Sequence, residues 1–275
     1  MIWLSLVVAT RGGDALREFI KSVALSLGNT KELEIILVFD NGKVPEWLSK
    51  LTNELELTIK AIETSEGSTM SHYNYCGLKA ATGKWIMLMN DDVKAETKGW
   101  DQQIKKIADC WHDQIGLIHV NDGFFGEKLN VFPCTSRAVW ERLSYLEAFP
   151  YTRYRIDDEV YGIFSFLDKL GHSRIAYCQE IIFRHSNIDC NGEYTPDQEI
   201  HQLDSDWFSK RTNERKKIAM QLASIIQRCR TNNKTSESIL NTVSSDVSLR
   251  RPLLSNPFDI DRAKPKARPR TVSYT

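Results

Sequence analysis

The stretch Gly83–Val93, GKWIMLMNDDV, constrains the chain most: an apolar run stops abruptly at Asn90, Asp91 and Asp92. The six residues from Lys84 to Met89 are too few for a core helix and enough for a buried strand. A strand that opens into adjacent carboxylates is how an open α/β sheet delivers acidic groups to the cleft at its carboxyl edge. Oxygens gathered there can hold a hard divalent cation, which in turn neutralises phosphate oxygens. The plainer account makes Asp91 and Asp92 the cap of a loop or of the next helix.

The preceding residues favour the cleft. Ile2–Ala9 is continuously apolar, as a parallel strand covered on both faces must be, and it runs into Thr10 and Arg11. A helix follows from Asp14, with Leu16, Phe19, Ile20, Val23 and Leu27 at helical spacing. Leu33–Phe39 reads as a second buried strand ending in Asp40, Asn41 and Gly42. Pro45 opens a short helix through about Asn53, and the alternation in Leu55–Glu63 marks a third strand. This β-α-β-α-β order calls for a parallel sheet with right-handed crossovers. A Gly/Ser loop at 65–68 and a helix over about Ser71–Ala81 lead to the strand at 84–89. Every strand so far ends in polar residues, and one edge of a parallel sheet collects all those ends.

Beyond Val93 the alternation loosens. Helices are expected over about Lys98–Trp111 and Ser136–Leu146, and a strand at Ile115–Val120. The segment NDGFFGEKLNVFP follows that strand, and in it Phe124 and Phe125, like Trp100 before it, are candidates to stack on a ligand or to pack in the core. A second acidic cluster, Asp157, Asp158 and Glu159, precedes an amphipathic helix capped by Gly171. Two short strands, Ile175–Cys178 and Glu180–Phe183, run into Arg184, His185, Ser186 and Asn187, and a long helical stretch covers Asp197 to about Arg230.

Composition narrows the class. Lys plus Arg number 36 and Asp plus Glu number 36, so no net field points to nucleic acid. The six cysteines form no C-x-x-C pair, which argues against zinc ribbons and redox motifs and suits free thiols in a reducing compartment. IWLSLVVA lacks a basic leader and reads as a strand, and no apolar run approaches the roughly 18 residues needed to span a bilayer. The expectation is a soluble, cytoplasmic protein. From residue 231 the chain turns rich in Ser, Thr, Asn and Pro. Between Arg250 and Thr275 seven Lys or Arg stand against two Asp, so the segment reads as a flexible tail, with peripheral membrane or protein contact as the minority reading.

These pieces together resemble the GT-A-fold glycosyltransferases, in particular the family 2-like enzymes that use nucleotide sugars. The resemblance rests on LVVATR, on VFDNG, and on Asn74, Gly77, Ala81 and Gly83 leading to Asn90, Asp91 and Asp92, where a D-x-D motif is usual. It departs at Asn90, which stands for the usual first acid. It implies an α/β catalytic domain over 1–210, with a mostly parallel central sheet flanked by helices. Residues 1–95 would bind the nucleotide sugar and 96–210 the acceptor, followed by a C-terminal helix at 211–230 and the tail at 231–275.

By position, the resemblance gives Thr10, Arg11, Asp40, Asn74, Asn90 and Asp91 to the donor, and Asp92 with His185 to Mn2+ or Mg2+. It gives the base that activates an acceptor hydroxyl to the second acidic cluster, with Asp158 favoured over Asp157 and Glu159 third. The activity implied is inverting, metal-dependent sugar transfer from a nucleoside diphosphate to a glycan or other hydroxyl acceptor. Two rivals remain: a catalytically silent carbohydrate- or protein-binding module, and a sugar-1-phosphate nucleotidyltransferase. The second lacks support because ATRGGDAL is shorter than a triphosphate-holding loop. An NAD-dependent enzyme is disfavoured because no G-x-G-x-x-G follows the first strand.

Overall fold

The computed structural model describes residues 1–40, 44–65, 68–143, 150–185 and 197–232, the last three without their side chains. Asn41 and Gly42, part of the loop at 65–68, the end of the helix expected to reach Leu146, Ser186 and Asn187, and the basic tail from 233 onward lie outside the described residues.

Among the described residues eight strands form one sheet in the order β3-β2-β1-β4-β7-β6-β8-β5. Strands β1 (Leu4–Thr10), β2 (Leu33–Asp40), β3 (Thr58–Thr64) and β4 (Trp85–Asn90) are mutually parallel. Short β7 (Cys134–Ser136) runs against both β4 and β6 (Leu117–Asn121), so β6 points the same way as β4. β8 (Ile175–His185) pairs parallel with β6 and antiparallel with β5 (Val93–Ala95). The sheet is thus mostly parallel, as expected.

Period-2 alternation divides the strand residues between two cores. Leu4, Leu6, Val8, Ile35 and Leu37 face one side, where α1 (Asp14–Ser26) and α4 (Trp100–Asp109) add Leu16, Phe19, Trp100 and Ile104. Val7, Ile36 and Val38 face the other. There they meet Val139 and Trp140 of α5 (Arg137–Arg142), Ile163 and Phe164 of α6 (Ile156–Lys169), and Leu222 and Ile226 of α8 (Thr212–Asn232). The helix α2 (Glu46–Leu55) links β2 to β3, and α3 (Met70–Ala80) lies on β1 and β2. Two glycines set how closely α3 and β4 approach that core. A Cβ on Gly77 would stand 2.3 Å from Val7 Cγ1, and one on Gly83 2.6 Å from the backbone N of Ser5.

Several boundaries differ from the sequence expectation. The strands expected at 175–178 and 180–183 are the single β8. Its pairing with β6 slips between Val120 and Asn121, bringing Ile182 opposite Asn121, and an irregularity of this kind lets a strand bend without ending. The long helical stretch after 197 is two helices, α7 (Gln198–Lys210) and α8, parted at Arg211, where the Arg211 and Arg215 side chains both turn to Glu159. Strands β5 and β7, three residues each, carry too little periodicity to be read from sequence. The helix expected after Glu159 starts earlier, at Ile156, so the acidic cluster forms its first turn, where carboxylates meet the positive end of the helix dipole.

Candidate active site

Strand register builds the site. Ala9 lies opposite both Val38 and Asn90, so the ends of β1, β2 and β4 bring Thr10, Asp40 and Asn90 to one edge of the sheet. Past Asn90 the chain turns through Asp91 and Asp92 into β5, whose Val93 pairs with His185. This small strand, invisible in the sequence pattern, is what brings His185 beside Asp92.

Three polar contacts define the edge. Thr10 Oγ1 donates to Asp91 Oδ2 at 2.5 Å and accepts from the Gly12 amide at 2.9 Å. Burial raises the Asp91 carboxyl above its ordinary range and the neighbouring Asp92 charge adds to this, while the Thr10 hydroxyl and the Arg11 amide oppose it. Next, Tyr73 on α3 donates its hydroxyl to Asp40 Oδ1 at 2.5 Å, and Arg11 Nε donates to Oδ2 at 3.1 Å. The Arg11 side chain is 86% exposed and that of Asp40 18%, so the guanidinium is free to reach toward an incoming anion. Burial, with Asp40 as the second cause, pushes the Tyr73 phenol up to about 12. Asn74, the next residue, is buried on α3 one turn before Gly77, on the face that packs against the sheet.

In the third contact, Asn90 Nδ2 lies 3.2 Å from His185 Nε2, and Asp92 Oδ1 lies 4.0 Å from the same nitrogen. Burial lowers the His185 pKa from 6.5, against the charges of Asp92 and Asp122, so the ring is neutral near pH 7 with a lone pair to offer. Among the described residues no group of three or more His, Cys, Asp and Glu side chains is arranged to hold a metal. The donor chemistry nevertheless fits a divalent cation: a neutral imidazole and a carboxylate stand side by side, and both are groups that would hold one.

The second acidic cluster divides into three environments. Glu159 is fully buried and accepts from Tyr151 at 2.8 Å, Arg211 at 3.1 Å and Arg215 at 2.7 Å, so it is a packing element. Asp158 accepts from Arg155 Nη1 at 3.0 Å. Asp157 precedes Tyr161 by one turn, on the face where the Tyr161 ring meets His119 of β6. Only residues 170–174 separate α6 from the start of β8, and 14 helical residues span about 21 Å, so the first turn of α6 points to the carboxyl edge of the sheet.

Three contributors went unread in the sequence. Tyr73 adjoins Asn74, but nothing local pairs it with Asp40, 33 positions away. Asp122, fully buried at the end of β6, accepts the amides of Phe124, Phe125 and Gly126, and the polar N-D-G after an apolar strand was its available signal. Arg155 has no motif. Of the expected stacking residues, Trp100 is fully buried, donates to Ser26 and packs edge-on to Phe183, which makes it core.

A mostly parallel sheet with an acidic carboxyl edge defines an α/β protein of the GT-A type. The sequence matches Glycosyl transferase family 2 over residues 5–170, and the chain belongs to that family; it is a glycosyltransferase. Among solved structures, S. aureus TarS 1-349 superposes with a TM-score of 0.54 at 13% identity, over 86% of this chain and 75% of that one. TarS 1-349 in complex with UDP-GlcNAc gives 0.53 at 12%, over 84% and 75%. The mannosyltransferase PcManGT from Pyrobaculum calidifontis, in complex with GDP-Man and Mn2+, gives 0.52 at 13%, over 81% and 69%. These likenesses concern the fold. No curated protein sequence matches the chain.

Proposed function

We propose that the protein is an inverting, metal-dependent glycosyltransferase that moves a sugar from a nucleoside-diphosphate donor to a hydroxyl of a glycan or other acceptor. The observation that carries the reading is the convergence of Asp40, Asp91, Asp92 and His185 at one sheet edge, with Arg11 exposed beside them. Complexes of the similar folds with UDP-GlcNAc, and with GDP-Man and Mn2+, support a nucleotide-sugar donor and a divalent cation.

The donor half is assigned to residues 1–95 and the acceptor half to 96–210. Asp40, oriented by Tyr73, accepts hydrogen bonds from the base or ribose, with Thr10 and Asn74 shaping the same pocket and Arg11 meeting phosphate oxygens. Asp92 and His185 would hold Mn2+ or Mg2+, which would neutralise charge on the departing diphosphate. Asn90 steadies the imidazole from the side, and Asp91, tied to Thr10, sets the turn that carries Asp92.

On the acceptor side a carboxylate of α6 takes the hydroxyl proton as the acceptor oxygen bonds to the anomeric carbon from the face opposite the diphosphate. The carbon–oxygen bond to the diphosphate breaks, and the configuration inverts. Asp158, which Arg155 orients, and its neighbour Asp157 are the two candidates for that base.

The test is release of nucleoside diphosphate from UDP-GlcNAc and GDP-mannose, with and without Mn2+ and an acceptor sugar. Turnover that needs the cation and is abolished in Asp92→Asn supports the reading. Full turnover in the presence of a chelator, or in correctly folded Asp92→Asn, contradicts the assigned metal site. A product retaining the donor's anomeric configuration contradicts inversion.

A further inference from the structure

The family match ends at residue 170, yet the start of α6 is held by residues beyond it. One face of α7, with its capping residue Asp197, meets the segment from Thr152 to Arg155. Asp197, His201, Asp204, Ser205 and Phe208 recur at the spacing of a single helical stripe. The Asp204 carboxylate is fully buried and accepts three successive amides: Thr152 at 2.8 Å, Arg153 at 2.9 Å and Tyr154 at 2.7 Å. Ser205 Oγ accepts from both Nε and Nη2 of Arg155 at 3.1 Å, and the same guanidinium reaches Asp158. The His201 ring packs edge-on to Tyr154 at 5.4 Å, and Tyr154 Oη accepts the Asp197 amide at 3.0 Å.

A buried carboxylate is costly unless its oxygens are filled, and here they are filled by the amides of a segment that belongs to no strand or helix. Arg155 adds a second sign of constraint. Its φ of 71° is left-handed, a conformation a non-glycine residue keeps when its surroundings over-determine it, and Ile156 begins α6 immediately afterwards. A polar network satisfied at every member fixes one position of the chain where apolar packing would tolerate several.

We propose that α7 is a positioning element for the acceptor base: Asp204 and Ser205 set the height and rotation of the first turn of α6, and with it where Asp157 and Asp158 stand. This rests on the reading of the α6 carboxylates as the acceptor base. Asp204 and Ser205 are positioning residues, touching neither donor nor acceptor.

The test uses the full chain with Asp204→Asn and the milder Ser205→Ala, on the donor and acceptor pair the wild-type protein turns over. Asn keeps the volume of Asp204 but turns an N–H toward the row of amides. Transfer kcat should fall on the order of 10²-fold in Asp204→Asn, since a displacement near 1 Å at a reacting group has that effect, and less in Ser205→Ala. Donor KM and calorimetric affinity for UDP or GDP with Mn2+ should be unchanged. Amide exchange should quicken in peptides covering 150–160 and not in those covering β1 and β4. The proposal is overturned if both folded variants keep wild-type transfer, or if transfer and nucleotide affinity fall in parallel. Failure of the base reading looks different: Asp157→Asn and Asp158→Asn would both transfer normally in a chain with α7 intact, while exchange in 150–160 would still report the clamp.

Discussion

Thr10, Asp40, Asn90 and His185 reach the carboxyl edge because each ends a strand, and strand register alone sets them side by side. Asp157, Asp158 and Glu159 arrive differently. They begin a helix whose entrance is gripped by Asp204 and Ser205 of α7, and whose third acid is buried against Arg211 and Arg215 at the start of α8. The first arrangement is carried by the backbone ladder of the sheet, and the side chains there need not hold the fold together. The second is carried by side chains, and the carboxylates of Asp158, Glu159 and Asp204 are all engaged by structure. A substitution at the donor edge should therefore cost binding or turnover with little loss of fold, whereas around α6 the two losses should mix.

The acceptor base is the sharpest way to break the comparison. Replacing it with Asn, as Asp158→Asn or Asp157→Asn, should lower transfer about 10²–10⁴-fold in one of the two, the usual contribution of a general base, with nucleotide affinity unchanged in calorimetry. If both variants transfer normally, the base does not lie on α6. Glu159→Ala should act on stability instead. It leaves two arginines without their buried partner, worth about 3–5 kcal/mol, and should lower Tm by several degrees in a thermal melt. A Tm close to wild type would mean the cluster is not structural.

At the donor side, Gly77→Ala should cost about 1–3 kcal/mol, because the added methyl meets Val7 in a sheet that cannot retreat. Chemical denaturation would show this as a lower midpoint at an unchanged slope. The smallest effect expected is at Tyr73. Its folded pKa is raised to about 12 from 10, so the stability it contributes is complete below pH 10 and is lost as pH climbs through 12. Tyr73→Phe should be less stable than wild type by about 0.5–1.5 kcal/mol at pH 8, and the gap should close between pH 10 and 12. A gap independent of pH would show that the phenol does not serve Asp40 as a donor.

The same contrast explains what was legible in the sequence. Continuous apolar runs closed by Thr10, Asp40 and Asn90 announced buried parallel strands and their polar ends, because a strand covered on both faces has no other composition available. Gly77 and Gly83 were visible as a spacing, and the structure supplies the reason, a close approach to Val7 and to the Ser5 backbone. The first turn of α6 was visible only as acidity. Which of its three acids was structural depended on Arg211, more than 50 positions along the chain, and on a helix break that periodicity ran straight through. Asp204 was unreadable for the same reason: a polar residue in an amphipathic helix looks solvated until its partners, some 50 positions away, are known.

The most direct measurement of the central claim is calorimetric titration of UDP and GDP into the wild-type protein and into Asp92→Asn, each with and without Mn2+. A nucleotide site at the carboxyl edge, completed by a cation on Asp92 and His185, predicts tight binding of one nucleotide that weakens sharply when either Mn2+ or the Asp92 carboxylate is removed. Binding that is indifferent to both, or no binding of either nucleotide in the presence of Mn2+, would contradict it.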